Sequence, residues 1–404
     1  MQVRLVLVAL RKHRLSAFLL AMQVCLSCAV FCNASLLIAQ RYKAMHLNSG
    51  IDESSLAVVK LSGIDPDRVA DVNARALDAI RRVPGVTAAS VVSEVPFGDS
   101  PARGGVTLDA EHHQSAGVID FYMGDRQAIG SLGLHLVAGS LPGPDDYAPI
   151  TDFVPSNPPV LITRVLAEHF WPGENPLGKR FWGMETSFTV VGVIDHLSVA
   201  TPGGGEAKDP DWSVFVPTQP GPKLLGTYLL KADPARLGQV AAEAVRAAQA
   251  AIPDAVVDVD RSATLPELRH RYFESTRVMI GLLFAVIVTL LGTTALGIVG
   301  LASFWVAQRK RHVGTRRALG ATSRDIFRYF QIENALIVGG GVLAGLVLAY
   351  VVNQQLMQRY EIPRLPVRYV GLAAVSLLVL GQLAVFVPAR RAAAISPMEA
   401  VRQG

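Results

Sequence analysis

The stretch best spaced to do chemistry is Gly173-Glu174-Asn175-Pro176-Leu177-Gly178-Lys179-Arg180, which keeps the glycine and lysine spacing of a phosphate-binding loop. Such a loop needs a Ser or Thr after the lysine to hold magnesium, and a helix to follow. Arg180 stands at that place, and Phe181 to Val191 reads as a strand, so the segment is expected to be a turn. Glu111-His112-His113 has the donor types of a metal site, but no second acid or histidine cluster at ligand spacing accompanies it, and a solvated loop is expected. Asp195-His196 ends a strand with no serine or cysteine nucleophile motif nearby. With no carboxylate pair, HExxH or GxSxG either, the chain is expected to have no catalytic site, cofactor or metal of its own. Cys25, Cys28 and Cys32 share one helical face and read as apolar packing, which leaves the rest of the chain without a disulfide.

The distribution of charge explains where such a chain belongs. Half of its 404 residues are apolar, and charged residues vanish over Leu15 to Gln40, Val278 to Gln308, Asn334 to Gln358 and Tyr369 to Ala389. A helix needs about 20 apolar residues to cross a bilayer, and each window is long enough. Four transmembrane helices are therefore expected. The first is too long for the core of a cleaved signal peptide and is read as retained.

Lys and Arg mark the cytoplasmic ends of such helices. Arg4, Arg11, Lys12 and Arg14 precede the first window, and Arg309, Lys310, Arg311, Arg316, Arg317, Arg324 and Arg328 lie between the second and third. Arg390, Arg391 and Arg402 follow the fourth. These segments hold 14 bases against 3 acids, whereas the remainder holds 24 against 30. The overall charge of +5 thus describes membrane rims rather than a nucleic-acid surface. Both termini are expected in the cytoplasm, with a mild exception at Arg359, Arg364 and Arg368 in an outer loop.

This topology divides the chain into residues 1–40, an extracytoplasmic domain at 41–274, and a second membrane segment at 275–404. The middle region reads as mixed α/β. Leu56 to Leu61 is a strand, Asp65-Pro66 opens a helix with apolar positions Val69, Val72, Leu77, Ile80 and Val83, and Val86 to Val95 is again a strand. The pattern returns 168 residues later: Tyr228 to Lys231, a helix opened by Asp233-Pro234, and Ala255 to Val259. Two βαβ units at the ends of one domain imply a pseudo-symmetric, split α/β fold. Between them, Val160 to Ile162 leads into a helix at Arg164 to Phe170, Phe188 to Ile194 is a strand, and Pro142 to Pro159 and Thr201 to Asp211 are loops.

The basic stretch 309–330 interleaves Val313, Ala318, Leu319, Ile326 and Phe327 with its arginines, and Gly314 and Gly320 are expected to divide it into two short helices. A plain lipid-facing rim needs no such order; an amphipathic element along the membrane is what a partner protein grips. Glu333, at the mouth of the third helix, is costly in a membrane unless paired, so it should meet an arginine of this loop. Gly339, Gly340, Gly341 and Gly345 allow close helix packing, with Gly341 and Gly345 four apart.

Arg309-Lys310-Arg311-His312-Val313-Gly314-Thr315-Arg316-Arg317-Ala318-Leu319-Gly320-Ala321-Thr322 resembles the loop after the second membrane helix of FtsX/MacB-type ABC transporter permeases. Phe330-x-x-Glu333 and the run from Pro388 to Arg402 are similar to that family too, as are Phe170 to Lys179 and Val190-Val191-Gly192-Val193 to the MacB periplasmic core. The resemblance implies a dimeric permease, paired with itself or a close paralogue in the bacterial inner membrane, that works with a separate ATPase subunit. A periplasmic adaptor and an outer-membrane channel are further partners it would allow. It implies that Gly314, Arg316, Arg317, Ala318, Leu319 and Gly320 contact the ATPase, and that the extracytoplasmic domain has porter-like halves. Export of an antibiotic, peptide or lipid-linked molecule is the implied function. A mechanotransmitter acting on a cell-wall hydrolase or stress sensor, or a lipoprotein-extracting permease, is the alternative. His312 departs from the Glu usual in the family, and the ATPase is expected to come from another chain rather than a fused domain.

Overall fold

The computed structural model describes residues 14–65, 68–111, 113–203, 209–360 and 364–394. Arg4, Arg11, Lys12, Pro66, His112, Glu361, the centre of the 201–211 loop and the Ile395 to Arg402 run lie outside the described residues, as does the side chain of His312. The chain divides into two compact units, Met1–Lys43 with Thr276–Gly404, and Ala44–Ser275.

The first unit is helical. Leu15–Met45, Glu274–Gln308, Ser323–Gln358 and Val367–Ala393 are each long and apolar enough to cross a membrane, so the protein is polytopic. Large apolar side chains such as Leu282, Phe284, Leu343 and Leu383 are exposed on them, as lipid-facing surfaces require. Polar groups join the helices where a bare one would be costly. Ser27 Oγ lies 2.9 Å from Thr294 Oγ1, Asn33 donates to the Ala349 carbonyl at 3.2 Å, and Asn334 donates to the Gly381 carbonyl at 2.8 Å. Cys28 and Cys32 are buried in this core.

The glycines of the third helix divide by face. A Cβ at Gly341 would lie 2.7 Å from the Ala21 carbonyl oxygen, and one at Gly345 would lie 2.6 Å from Cys28 Cβ. The pair thus lets the first and third helices of the same chain touch backbone to backbone. Gly339 and Gly340 have open space where a side chain would go.

The second unit holds the split fold. β1 (Leu56–Ser62), α1 (Val69–Arg81) and β2 (Val86–Val91) form the first half. An inserted region then builds β3 (Ala102–Thr107), β4 (Ser115–Gly124), α2 (Ala128–Leu132), β5 (Leu136–Gly139), β6 (Pro159–Thr163), α3 (Arg164–Phe170), β7 (Arg180–Gly183), β8 (Thr186–Ile194) and β9 (Ser213–Pro217). The second half is β10 (Thr227–Ala232), α4 (Leu237–Ala251) and β11 (Val256–Val257), and α5 (Leu265–Tyr272) follows.

The halves interleave in one sheet of order β11-β1-β10-β2, with every neighbour antiparallel. Each βαβ unit is therefore split by a strand of the other. Along β1, Ala57, Val59 and Leu61 pack with Val72, Ala76 and Ile80 of α1 and Val240, Ala244 and Ala248 of α4, while Leu56 and Val58 face a second core with Phe97, Leu265 and Phe273. The second half opens as its Asp-Pro pair predicts, Asp233 accepting from the Ala235 amide at 2.8 Å.

The strand boundaries are shorter than expected for local reasons. β2 stops at Val91 because the chain then leaves the sheet, Ser93 donating to the Met123 carbonyl. β11 is reduced to Val256–Val257 because it meets only Leu61 and Ser62 at the end of β1. The expected strand Phe181 to Val191 is instead the hairpin β7–β8, turned by Met184 (φ 50°) and Glu185 (φ 60°). Two successive left-handed residues make a tight hairpin turn that Asn and Gly usually occupy, so Met-Glu carries no turn signature.

The insertion forms a second sheet of order β5-β8-β6-β9-β4-β3-β7, which β7–β8 pairing closes into a ring with β5 added at its rim. Phe121, Phe181 and Phe188 fill its interior, with ring centroids about 5 Å apart. Beyond it, Arg269 of α5 donates to the Met45 and Leu47 carbonyls at 2.8 and 2.7 Å and to Glu53 at 2.6 Å, fixing the chain where the first long helix ends.

Replacing Gly345 by Leu should force the first and third helices apart and lower stability by about 1–3 kcal/mol. Gly339→Ala should be neutral or stabilising, because it gains helix propensity without a clash. Melting of the detergent-solubilised chain checks both, and equal losses would show that the close approach at Gly345 is not what holds these helices.

Candidate functional site

The basic stretch folds into one short helix, Lys310–Ala318, rather than two. Gly314 lies inside it and is buried, because the backbone bonds run on through Val313 to Arg309 and Leu319 to Thr315. Only Gly320 breaks the chain, with φ +97°, a value glycine adopts at no steric cost. Thr322 and Asp325 then cap the third membrane helix reciprocally: the Asp325 amide donates to Thr322 Oγ1 at 3.2 Å, and the Thr322 amide donates to Asp325 Oδ2 at 3.1 Å.

The element is pinned by charge. Arg309 Nη1 donates to both carboxylate oxygens of Glu333, at 2.9 and 2.8 Å. Glu333 is 1% exposed and Arg309 15%, so the pair is shielded from water. The Arg309 guanidinium also lies 5.7 Å from the Trp305 ring centre, and that of Arg316 lies 5.1 Å from the Tyr329 ring centre. Beneath these, Val313, Ile326 and Phe330 pack with Ala389, Ala392 and Ala393 of the fourth helix. The remaining sequence candidates separate by exposure. Arg316, Ala318, Leu319 and Gly320 are exposed, Arg317 is partly so, and Leu319 presents 83% of its surface although it is apolar.

Sequence reasoning named Glu333 and the turn, and it missed that Arg309, Trp305 and Tyr329 hold them. No spacing rule selects Arg309 among seven bases; only its place one turn beyond Trp305, opposite the third helix, does so.

The other candidates are engaged in local contacts. Lys179 of the phosphate-loop lookalike pairs with Glu174 and lies over the Trp171 ring, while the Gly178 amide donates to the Val190 carbonyl. Asp195 pairs with Arg164, and His196 Nδ1 lies 3.2 Å from Asp211 Oδ2 with no nucleophile between. Asp109 joins Glu111 and His113 with ligand atoms within 4.8 Å, a grouping the sequence reading did not find. Its atoms are largely exposed, and Asp109 already accepts from the His113 and Gln114 amides, which holds its carboxyl below the usual range.

Residues 281–397 match the family model described as FtsX-like permease C-terminal. The chain is 29% identical over 265 residues to the macrolide export ATP-binding/permease protein MacB of Rhodospirillum rubrum, covering 62% of this chain and 39% of that protein. It is 26% identical over 254 residues to the pyoverdine export ATP-binding/permease protein PvdT of Pseudomonas entomophila, covering 60% and 37%. It therefore spans less than two fifths of the length of these relatives. The periplasmic region of MacB from Actinobacillus actinomycetemcomitans aligns with a TM-score of 0.34 at 15% identity, over 53% of this chain and 92% of that one. Over its C-terminal membrane segment the chain is thus similar to FtsX-like permeases, and over about three fifths of its length to MacB and PvdT.

Removing one partner of a buried ion pair strands the other, at a cost of about 3–5 kcal/mol. Glu333→Gln should lose roughly that amount, and the double change Arg309→Met with Glu333→Met should recover most of it. Denaturant titrations of the three proteins in micelles test this; a double variant as unstable as the single one would mean the two side chains are not coupled.

Proposed function

We propose that this chain is the permease subunit of an ABC transporter of the MacB type, and that the helix Lys310–Ala318 with the Leu319-Gly320 turn is where a separate ATPase engages it. The observation carrying this reading is an exposed apolar residue, Leu319, flanked by exposed Arg316 and Ala318 and mounted on a helix pinned by a buried ion pair. A rigid lever is what a coupling element requires, because a loose loop would absorb the displacement it is meant to pass on.

In this reading ATP hydrolysis displaces the short helix, and Arg309–Glu333 carries the motion into the second and third membrane helices as a rigid-body shift. The first and third helices move together because Gly341 and Gly345 join them. The positive ends support a cytoplasmic short helix, with residues 44–275 on the far side of the inner membrane. Motion there would serve export of a macrolide-like, peptide or lipid-linked molecule, in keeping with the macrolide and pyoverdine exporters to which the chain is similar. A second copy of the permease completes the machine, with the adaptor and outer-membrane channel as further partners.

The experiment is a pull-down of the tagged full chain from its native membranes, with and without Leu319→Asp and Arg316→Glu. An ATPase should copurify with the unmodified chain and be reduced by about tenfold or more in the double variant, the size of effect that losing an interface anchor produces. Undiminished recovery would move the contact elsewhere on the chain. If no ATPase copurifies with either, the coupling reading fails.

A further inference from the structure

Apart from the membrane helices, the Ala44–Ser275 unit contains a cleft of about 490 Å³ between the end of β1, the loop after β2 and α5. That size lies within the range of small-molecule sites. Its floor begins with an irregularity in β1. Residues Leu56, Val58 and Lys60 share one face of the strand, and the first two are buried in an apolar core. Lys60 breaks that alternation and puts an ammonium where a third apolar side chain would continue the core.

The charges in the cleft are almost all committed. Arg261 contacts Asp99 at 2.5 Å and Asp258 at 3.4 Å. Glu94 is buried, and its two oxygens accept from the Val95 and Ser100 amides, each at 3.1 Å. Burial raises its pKa above the usual carboxylate range, against the pull of Lys60. Gly98 makes this wrapping possible, since a Cβ there would lie 2.1 Å from Glu94 Oε1. Lys60 Nζ stands 4.0 Å from Glu94, beyond hydrogen-bond reach, with its side chain only 17% exposed. Among the described residues that is its one charged neighbour within 4.0 Å. At the rim, Arg271 gives a single hydrogen bond to the Asp260 carbonyl and keeps its other donors, beside the exposed Asp260 carboxylate.

What the cleft offers a guest is the shielded Lys60 ammonium, the exposed Arg271 guanidinium and the Tyr272 ring, whose centroid lies 6.0 Å from that of the buried Phe97 behind it. Phe97 holds φ +69°, a conformation bulky residues avoid and that gathers at ligand sites. Its ring also carries the Arg269 guanidinium at 5.0 Å, the group that fixes Met45, Leu47 and Glu53.

We propose that this cleft binds a small molecule with an anionic head, a carboxylate or a phosphate, and a flat apolar body. Lys60 and Arg271 hold the head, and Tyr272, backed by the buried Phe97, holds the body. The proposal goes beyond ATPase coupling and does not depend on it.

The test uses the full chain in lipid nanodiscs, with protein-free discs as the blank, titrated with 1-naphthyl phosphate, 1-naphthoate and 1-naphthylmethylamine by saturation-transfer NMR. At least one of the two anions should bind saturably, and the stronger of them identifies whether the head is phosphate or carboxylate. Lys60→Met should weaken binding by at least about tenfold, as loss of a shielded charge partner does. Arg271→Glu, at an exposed position, should weaken it several-fold. Saturable binding of the amine instead, anion binding that Arg271→Glu leaves unchanged, or no saturable binding at all would each overturn the assignment.

Discussion

A carboxylate one hundredth exposed at the end of an apolar helix is the constraint around which the membrane unit is arranged. A carboxylate there needs a partner, since an unpaired charge in a low-dielectric setting costs several kcal/mol. Arg309 answers it with both carboxylate oxygens engaged from one guanidinium nitrogen. Because Arg309 sits where the second membrane helix passes into Lys310–Ala318, satisfying one acid also sets where the basic helix begins. The arginines that follow, the exposed Leu319 and the left-handed Gly320 inherit their positions from that one pair. The apolar contacts of Val313, Ile326 and Phe330 with Ala389 and Ala392 then keep the helix from swinging about it.

The same economy of contacts holds the four helices. Lipid removes most of the hydrophobic drive between them, so close packing and a few polar bonds must suffice. Gly341 and Gly345 supply the first, and Ser27–Thr294, Asn33–Ala349 and Asn334–Gly381 supply the second. Each is a discrete contact that either holds or breaks.

In the α/β unit the interleaved halves share a sheet with both faces buried, and a closed strand ring is inserted where β2 leaves it. Strand β1 is common to the two cores, and its last charged residue lies in the cleft. Arg269 meets both the Phe97 ring of that cleft and the carbonyls at the end of the first long helix. A guest pressing on Phe97 would therefore touch the residue that fixes the chain at that helix.

Four apolar helices, the basic rims, the repeated βαβ pattern and the need of Glu333 for an arginine were legible in the residues, because length, charge and periodicity are local properties that folding does not alter. The helix Arg164–Phe170 was legible to the residue, with Thr163 as its cap. The Met184-Glu185 turn was not, since its left-handed residues are imposed by the β7–β8 ladder rather than favoured by their own side chains. Strand β3, with Gly104 and Gly105, and β9, buried at every residue, show no alternation to read. Which arginine meets Glu333, which glycines face the first helix and how Lys60 comes to lie beside Glu94 were decided only by tertiary structure. Each depends on the distance between residues far apart in the chain, and in a sequence pattern that distance has no trace.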